Sequence, residues 1–566
     1  MMDERKPIGY MVGGGLKEGF RVRLTVSPLE VQEGAFIKIE SGTWQFYGLV
    51  TDLQLGATDP RFADEPTGTR LPPAIANALQ GQTLFTNLEF LPALMLDRGP
   101  EPGSPGYEAW NEKRLTKESE LKPVKTVPSH HAAVRLADAG DIAEVFGRPG
   151  EKGNYIIGTT REQGHPVCID LDKLVQRSSG VFGATGTGKS FLTRVLMAGL
   201  IQYKKHSVLV YDMHNEYGLD DTASDSGQRV TGLRTKFPSR VRVVALGAGA
   251  TIRGQTPDFT LEIATSDLST ADVEMLTGEL NLRETTPTTL HALWNSFNRD
   301  WFSRFKAMNQ EQVEEADDKG KIQKVPHPDS VAAWAARNGV NEMAAEGLHN
   351  KLRRLFDKPY LVEAPANDSI SEVIKSLEDG KSVVLSFGSQ QTDLDYLLVS
   401  NLLTRRIRER WEQQTNAFRT GKKEQEPRPL VIVVEEAHKL LNREIASQTT
   451  FSTIARELRK YYVTLLIVDQ RPSQIQDEVM SQLGTRISGW LGDDDDIHAV
   501  LSGLAGREAL RGMLSHLQQK EEVLLLGWGV PMPLPVRSRR YDAQFWKELQ
   551  GKDDARKDLV DRELGW

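Results

Sequence analysis

The sequence predicts an α/β protein with a mainly parallel sheet, preceded by a small all-β section. Three observations carry this. From about residue 170, short apolar strands alternate with long helical segments. At the head of that region a glycine-rich turn, Gly183-Ala184-Thr185-Gly186-Thr187-Gly188-Lys189-Ser190, joins an apolar run to a helical one. Before it, apolar and polar residues alternate with a period of two.

The all-β section shows first. Phe20, Val22, Leu24 and Val26 alternate with Arg21, Arg23 and Thr25, and the runs 36–39 and 44–50 follow after short breaks. This spacing suggests a small barrel or sandwich. Residues 98–106, rich in Pro and Gly, read as a loop. In the second region the expected strands are 207–211, 241–246, 382–387, 430–434, 464–468 and 523–526, and a stretch from about 265 to 360 reads as a helical insertion.

Composition sets bounds. The chain has 566 residues, with 70 Lys plus Arg against 78 Asp plus Glu, a formal net charge of −8. That excludes a wholly basic nucleic-acid coat but not a local basic path. The single cysteine, Cys168, excludes an internal disulfide or a Cys-rich zinc site and reads as a small buried hydrophobe. No run approaches the ~18 to 20 apolar residues that span a bilayer, and the charged start MMDERKPIGY shows no secretory signal, so a cytoplasmic protein without an integral membrane segment is expected.

The turn at 183–190 matches G-x-x-x-x-G-K-[ST] with the right flanks, Gly180-Val181-Phe182 before it and a helical run from Phe191 after it. Glycines let successive N–H groups point at phosphate oxygens, and the helix N-terminus adds its positive end. Lys189 would reach the β- and γ-phosphates and Ser190 would ligate Mg²⁺. Gly183, Ala184, Thr185, Gly186, Thr187, Gly188, Lys189, Ser190 and the adjoining Phe191 are therefore the candidate nucleotide-binding residues. Such a site needs a strand ending in carboxylates, and Leu430 to Val434 followed by Glu435-Glu436 fits. Glu435 would hold a magnesium water and Glu436 would polarise the attacking water as general base. A further strand, Thr464 to Val468, runs into Asp469-Gln470-Arg471-Pro472, where the Gln470 amide could sense the γ-phosphate or the lytic water. For Arg456, Arg459 and Lys460 two readings stand. They neutralise a helix end, or one arginine, Arg459 ahead of Arg456, is a finger reaching a neighbouring subunit's site.

The order of these motifs resembles the HerA branch of the HerA/FtsK superfamily of ring-forming DNA translocases. The matching pieces are GATGTGKS, Tyr211-Asp212-Met213-His214-Asn215-Glu216-Tyr217, VVEEAHKLL at 433–441, ARELRKYYVTLLIVDQRPS at 455–473, and Leu524 to Pro535. The resemblance implies a HAS-type barrel over 1–165, a RecA-like P-loop motor over 166–540 and a tail over 541–566. It implies ATP and Mg²⁺ as cofactors, a homo-hexamer with sites between subunits, and double-stranded DNA in the central channel. It also implies a NurA-type nuclease or a phage-defence effector docked on the barrel. It carries Lys189 and Ser190 to phosphate and magnesium, Glu436 to the base, Gln470 to the sensor and Arg459 to the finger. Two departures stand out: Glu435 where Asp is usual, and Asn215 where Gly is common. The second leaves Asp212 and Glu216 between a nucleotide role and turn chemistry.

Three basic stretches are candidates for DNA contact: Arg405, Arg406, Arg408 and Arg410; Arg229, Arg234, Lys236, Arg240 and Arg242; and Arg353 with Arg354. Asp493 to Asp496 reads as a solvated acidic loop, and His438 as a structural or coupling residue. The alternatives are a membrane-recruited conjugation or secretion ATPase, and a nucleotide-binding switch. The switch is disfavoured because Thr116-Lys117-Glu118-Ser119 lacks the Asp of a guanine-reading motif.

Overall fold

The computed structural model describes residues 6–58, 84–100, 103–116, 121–222, 227, 229–316, 322–445, 449–504 and 506–551. The chain divides into two compact units, one of residues 1–196, 470–473 and 483–566, the other of 197–469 and 474–482.

The first unit begins with a closed barrel. Gly19–Leu24, Gly9–Gly15, Ala133–Leu136, Phe36–Ser41, Trp44–Ala57 and Leu84–Asp97 are neighbours in that order, and Leu84–Asp97 returns to Gly19–Leu24 with Val22 opposite Leu88. All pairs are antiparallel, so inward residues alternate with outward ones. Phe20, Val22, Ile37, Ile39, Phe46, Val50, Leu88 and Phe90 fill the interior. Bulges between Tyr47 and Gly48 and between Val50 and Asp52 bend the longest strand. Gly48 is required there, because a Cβ would lie 2.1 Å from the Leu91 carbonyl oxygen.

A buried polar network ties the helix Ala139–Phe146 to one end of the barrel. The Lys38 ammonium lies 2.6 Å from Asp141 and 3.1 Å from Asp138. Gln45 and the Tyr47 hydroxyl donate to the other Asp141 oxygen at 3.1 and 3.0 Å. Arg98 completes the group on Glu144 at 2.7 Å.

The strands Asn154–Thr160 and Pro166–Asp170 form a hairpin that joins Leu534–Ser538, not the barrel. The expected boundary at 165 thus runs through this hairpin. Its partners lie more than 370 residues downstream, beyond the reach of any local pattern. The same run continues through Glu522–Gly527 and Thr485–Ser488 to Ser179–Phe182, the last pair being parallel. Cys168 is buried in the hairpin. Residues 543–551 are helical, with Phe545, Trp546 and Leu549 buried, so the start of the expected tail is packed.

The second unit holds six parallel strands in the order Phe259–Leu261, Val241–Leu246, Ser382–Ser386, Ser207–Asp212, Leu430–Glu435, Val463–Asp469. The central ones are buried on both faces, as parallel strands covered by helices must be. The insertion is helical through Thr286–Phe297, Trp301–Ala307, Val331–Arg337 and Glu342–Phe356. It also carries an antiparallel pair, Gln312–Ala316 with Ile322–Pro326, which the helical expectation missed. Its exposed, charge-rich strands bury too little apolar surface to leave a period-two signal.

Candidate active site

The phosphate loop follows the buried strand Ser179–Phe182 and opens the helix Lys189–Tyr203. Its shape is set by backbone torsion. Gly186 and Gly188 adopt φ of 79° and 85°, and a Cβ on Gly186 would meet no atom within 4 Å, so the glycine is needed for its torsion and not for space. The Ala184 N–H donates to the Trp490 carbonyl at 3.0 Å, and Thr187 bonds back to the Ala184 carbonyl through N–H and hydroxyl. These bonds pin both ends of the turn. The first-turn N–H groups of the helix have no partner within it, which is the arrangement that receives an anion.

Gln470 follows the strand Val463–Asp469, and its side-chain oxygen accepts from the Thr185 hydroxyl at 2.5 Å. Two candidate residues 285 positions apart are thus in contact. Beyond the loop, Phe191 and Tyr541 face each other with ring centroids 6.5 Å apart, and the Arg194 guanidinium lies over both rings.

In the second unit, Glu435 ends the strand Leu430–Glu435 and is 6% exposed. The Tyr217 hydroxyl donates to its Oε1 at 2.5 Å, while Oε2, also buried, has no hydrogen-bond partner. Burial, then the nearby Asp212 carboxylate, pushes the Glu435 carboxyl well above its ordinary range, and the Tyr217 donor opposes this. A buried, half-satisfied carboxyl among acids suits a divalent cation, whose charge would reverse the penalty.

Asp212 is fully buried and accepts from the Glu216 and Tyr217 N–H groups at 2.8 and 2.9 Å. It therefore closes the turn that carries Tyr217 to Glu435. Asn215 sits at φ 57°, the left-handed region that explains why glycine is common there, and exchanges two hydrogen bonds with the Gly388 backbone.

Glu436 also has positive φ, 45°. The chain turns sharply there, and the Ala437 N–H reaches the Val468 carbonyl. The His438 N–H donates to Asp469 Oδ2 at 2.7 Å, and its ring Nδ1 lies 3.0 and 3.2 Å from the two Asp469 oxygens and 3.7 Å from Glu436 Oε2. Burial lowers the His438 pKa, but the hydrogen bond and charge of Asp469 outweigh it, and the net shift is upward.

Arg459 is exposed in the short turn Leu458–Tyr461. Arg456 is in the helix Thr450–Glu457, and its side chain lies outside the described residues.

Many residues of the basic stretches are paired within the chain. Arg405 pairs with Asp272, Arg406 with Asp267 and Arg410 with Glu378. Arg229, Arg234 and Arg242 pair with Asp220, Asp258 and Glu372, and Arg354 donates to the Glu279 carbonyl. Folding brings acids from distant segments onto charges that look unopposed in sequence. Asp493 to Asp496 is not a loop either: Asp493 caps the helix Asp494–Leu501, whose positive end the next three acids oppose. Among the described residues no group of three or more His, Cys, Asp or Glu is disposed to hold a metal, and no helix is long and apolar enough to cross a membrane.

The sequence reading assigned no role to Tyr217 or Asp469. Each had a signal, since Tyr217 ends the motif after the second strand and Asp469 immediately precedes Gln470.

Residues 155–407 match the family described as "Helicase HerA, central domain". The DNA double-strand break repair helicase HerA of Sulfolobus acidocaldarius is 24% identical over 458 residues, covering 78% of this chain and 81% of that protein. The protein of the same name from Sulfurisphaera tokodaii is 23% identical over 551 residues, covering 95% and 94%. Among solved structures, VirB4 of Thermoanaerobacter pseudethanolicus overlaps 70% of this chain and 99% of its own at 14% identity, with a TM-score of 0.41, too loose a likeness to bear on function. Motif order, the barrel followed by a parallel α/β core, and matches along nearly the whole length agree: the chain is similar to HerA helicases, and its residues 155–407 match their central domain.

Proposed function

We propose that the chain is an ATP-hydrolysing motor that moves along or unwinds double-stranded DNA. The observation that carries the ATPase reading is the glycine-shaped loop opening on a helix N-terminus with the Gln470 side chain docked on Thr185. The DNA substrate is inferred from relatives named as DNA double-strand break repair helicases.

The roles follow from the chemistry of each group. Backbone N–H groups of Gly183 to Ser190 and the Lys189 ammonium bind the phosphates, and Phe191 flanks them. Ser190 and Glu435 would hold Mg²⁺, which supplies charge neutralisation on the phosphate oxygens. Glu436 takes the proton of the attacking water, and Gln470 orients that water. The exposed Arg459 serves as the finger of an adjacent subunit in a homo-hexameric ring that encloses the duplex. The barrel docks a partner, a NurA-type nuclease or a defence effector.

The test is steady-state ATP hydrolysis with and without linear duplex DNA. Stimulation by the duplex is expected. Lys189→Ala should abolish hydrolysis and nucleotide binding. Glu436→Gln should abolish hydrolysis and keep binding, and parental turnover in that variant would remove the base assignment. Mixing Arg459→Ala with Lys189→Ala subunits should restore part of the activity if the finger acts between subunits. No restoration would place it within one subunit.

A further inference from the structure

We infer that His438 and Asp469 form a clamp that holds Glu436 in its working conformation, both being positioning residues for activation of the attacking water. This rests on the proposal that Glu436 is the base.

The reasoning starts from the backbone. A side chain as long as glutamate is strained at φ 45° and persists only where the surroundings over-determine it. Four interactions follow within three residues. The Ala437 N–H reaches Val468, and the Lys439 N–H returns to the Glu436 carbonyl at 2.8 Å. The His438 N–H and ring nitrogen both bind Asp469. Asp469 is fully buried at the end of its strand. It is therefore a fixed anchor, and the two contacts from one residue set both the path of the turn and the plane of the ring.

The ring then stands between two carboxylates. With Asp469 as acceptor, Nδ1 carries a hydrogen. The same edge faces Glu436 Oε2 at 3.7 Å, so the anchored ring limits where the Glu436 side chain can lie. The neighbouring cation, Lys439, is directed to Asp393 at 2.6 Å. The upward shift of the His438 pKa agrees with this placement. The pattern Glu436-x-His438, with an acid ending the next strand, thus has a purpose beyond local capping.

The experiment measures kcat and KM for DNA-stimulated ATP hydrolysis in His438→Ala, His438→Asn and Asp469→Asn, alone and combined with Glu436→Gln. A base displaced by about 1 Å loses on the order of 10²-fold in rate. His438→Ala should lower kcat by about that factor with KM for ATP changed less than about twofold. His438→Asn, whose amide nitrogen can replace Nδ1, should recover most of the loss. On the residual rate left by Glu436→Gln, His438→Ala should cost nothing further, because the group it positions is gone. Parental kcat in His438→Ala, a KM that rises in step, no rescue by Asn, or losses that multiply in the double variant would each overturn the clamp. If His438→Ala does not fold, Asp469→Asn keeps the side-chain volume and must show the same loss, and parental turnover there overturns it. A parent with no ATPase activity removes the underlying function, and an active parent with an indifferent His438 removes only the clamp.

Discussion

Replacing Tyr217 by Phe tests how the buried acid Glu435 is held. The Tyr217 hydroxyl is the hydrogen-bond donor to Glu435 Oε1, at 2.5 Å, and Oε2 has none. Phenylalanine keeps the ring and leaves no large cavity at this fully buried site. The loss is therefore the hydrogen bond itself, and the carboxyl is left buried with neither oxygen bonded to a donor. Leaving a buried acceptor without its donor costs about 1–3 kcal/mol, so roughly 2 kcal/mol of stability should disappear from the unit that holds both residues. Tyr217 also opposes the upward push of burial and Asp212 on the carboxyl, so Glu435 should move further toward its protonated form. The assay is urea denaturation followed by tyrosine and tryptophan fluorescence, with and without Mg²⁺ and a non-hydrolysable ATP analogue. The midpoint of that transition should fall by roughly 0.5–1 M urea, and more Mg²⁺ should be needed for half-maximal turnover. An unchanged midpoint and an unchanged Mg²⁺ requirement would refute the reasoning, because they would mean Glu435 does not depend on this donor.

Lys38→Met should destabilise the barrel by about 3 kcal/mol, at the low end for breaking a buried pair because Gln45 and Tyr47 still donate to Asp141. Calorimetry that shows the barrel melting at the parental temperature would contradict this. His438 gives a pH test. Its folded pKa is raised above the unfolded value near 6.5, so its pairing with Asp469 contributes fully below about pH 6.5 and is lost as pH rises through the folded value. The difference in melting temperature between the parent and His438→Asn should shrink from pH 6 to pH 9, and a constant difference would count against a charged imidazole.

Much of the motor was legible because its signals are contiguous. Six strands of the second region were expected within a residue or two of where they fall, since buried strands are short apolar runs with polar ends. The expected boundary at 165 falls between the two strands of the hairpin Asn154–Thr160 with Pro166–Asp170, because pairing with Leu534–Ser538 leaves no local trace. The partners of Arg405, Arg406 and Arg410 were not legible because Asp272, Asp267 and Glu378 approach only after folding. The net charge of −8 likewise said nothing of where charges meet.

By itself the sequence determined the α/β class, the phosphate loop, the acid-ended strand and the resemblance to HerA helicases. Each depends on neighbouring residues whose torsions and side chains act within one turn or one strand. Tertiary structure alone decided that the barrel closes, that Tyr217 caps Glu435 from 218 residues away, and that Glu436 is turned into the left-handed region above an anchored histidine. These depend on where separate strands end relative to one another. Packing of the whole sheet sets that geometry, and no short stretch of chain encodes it.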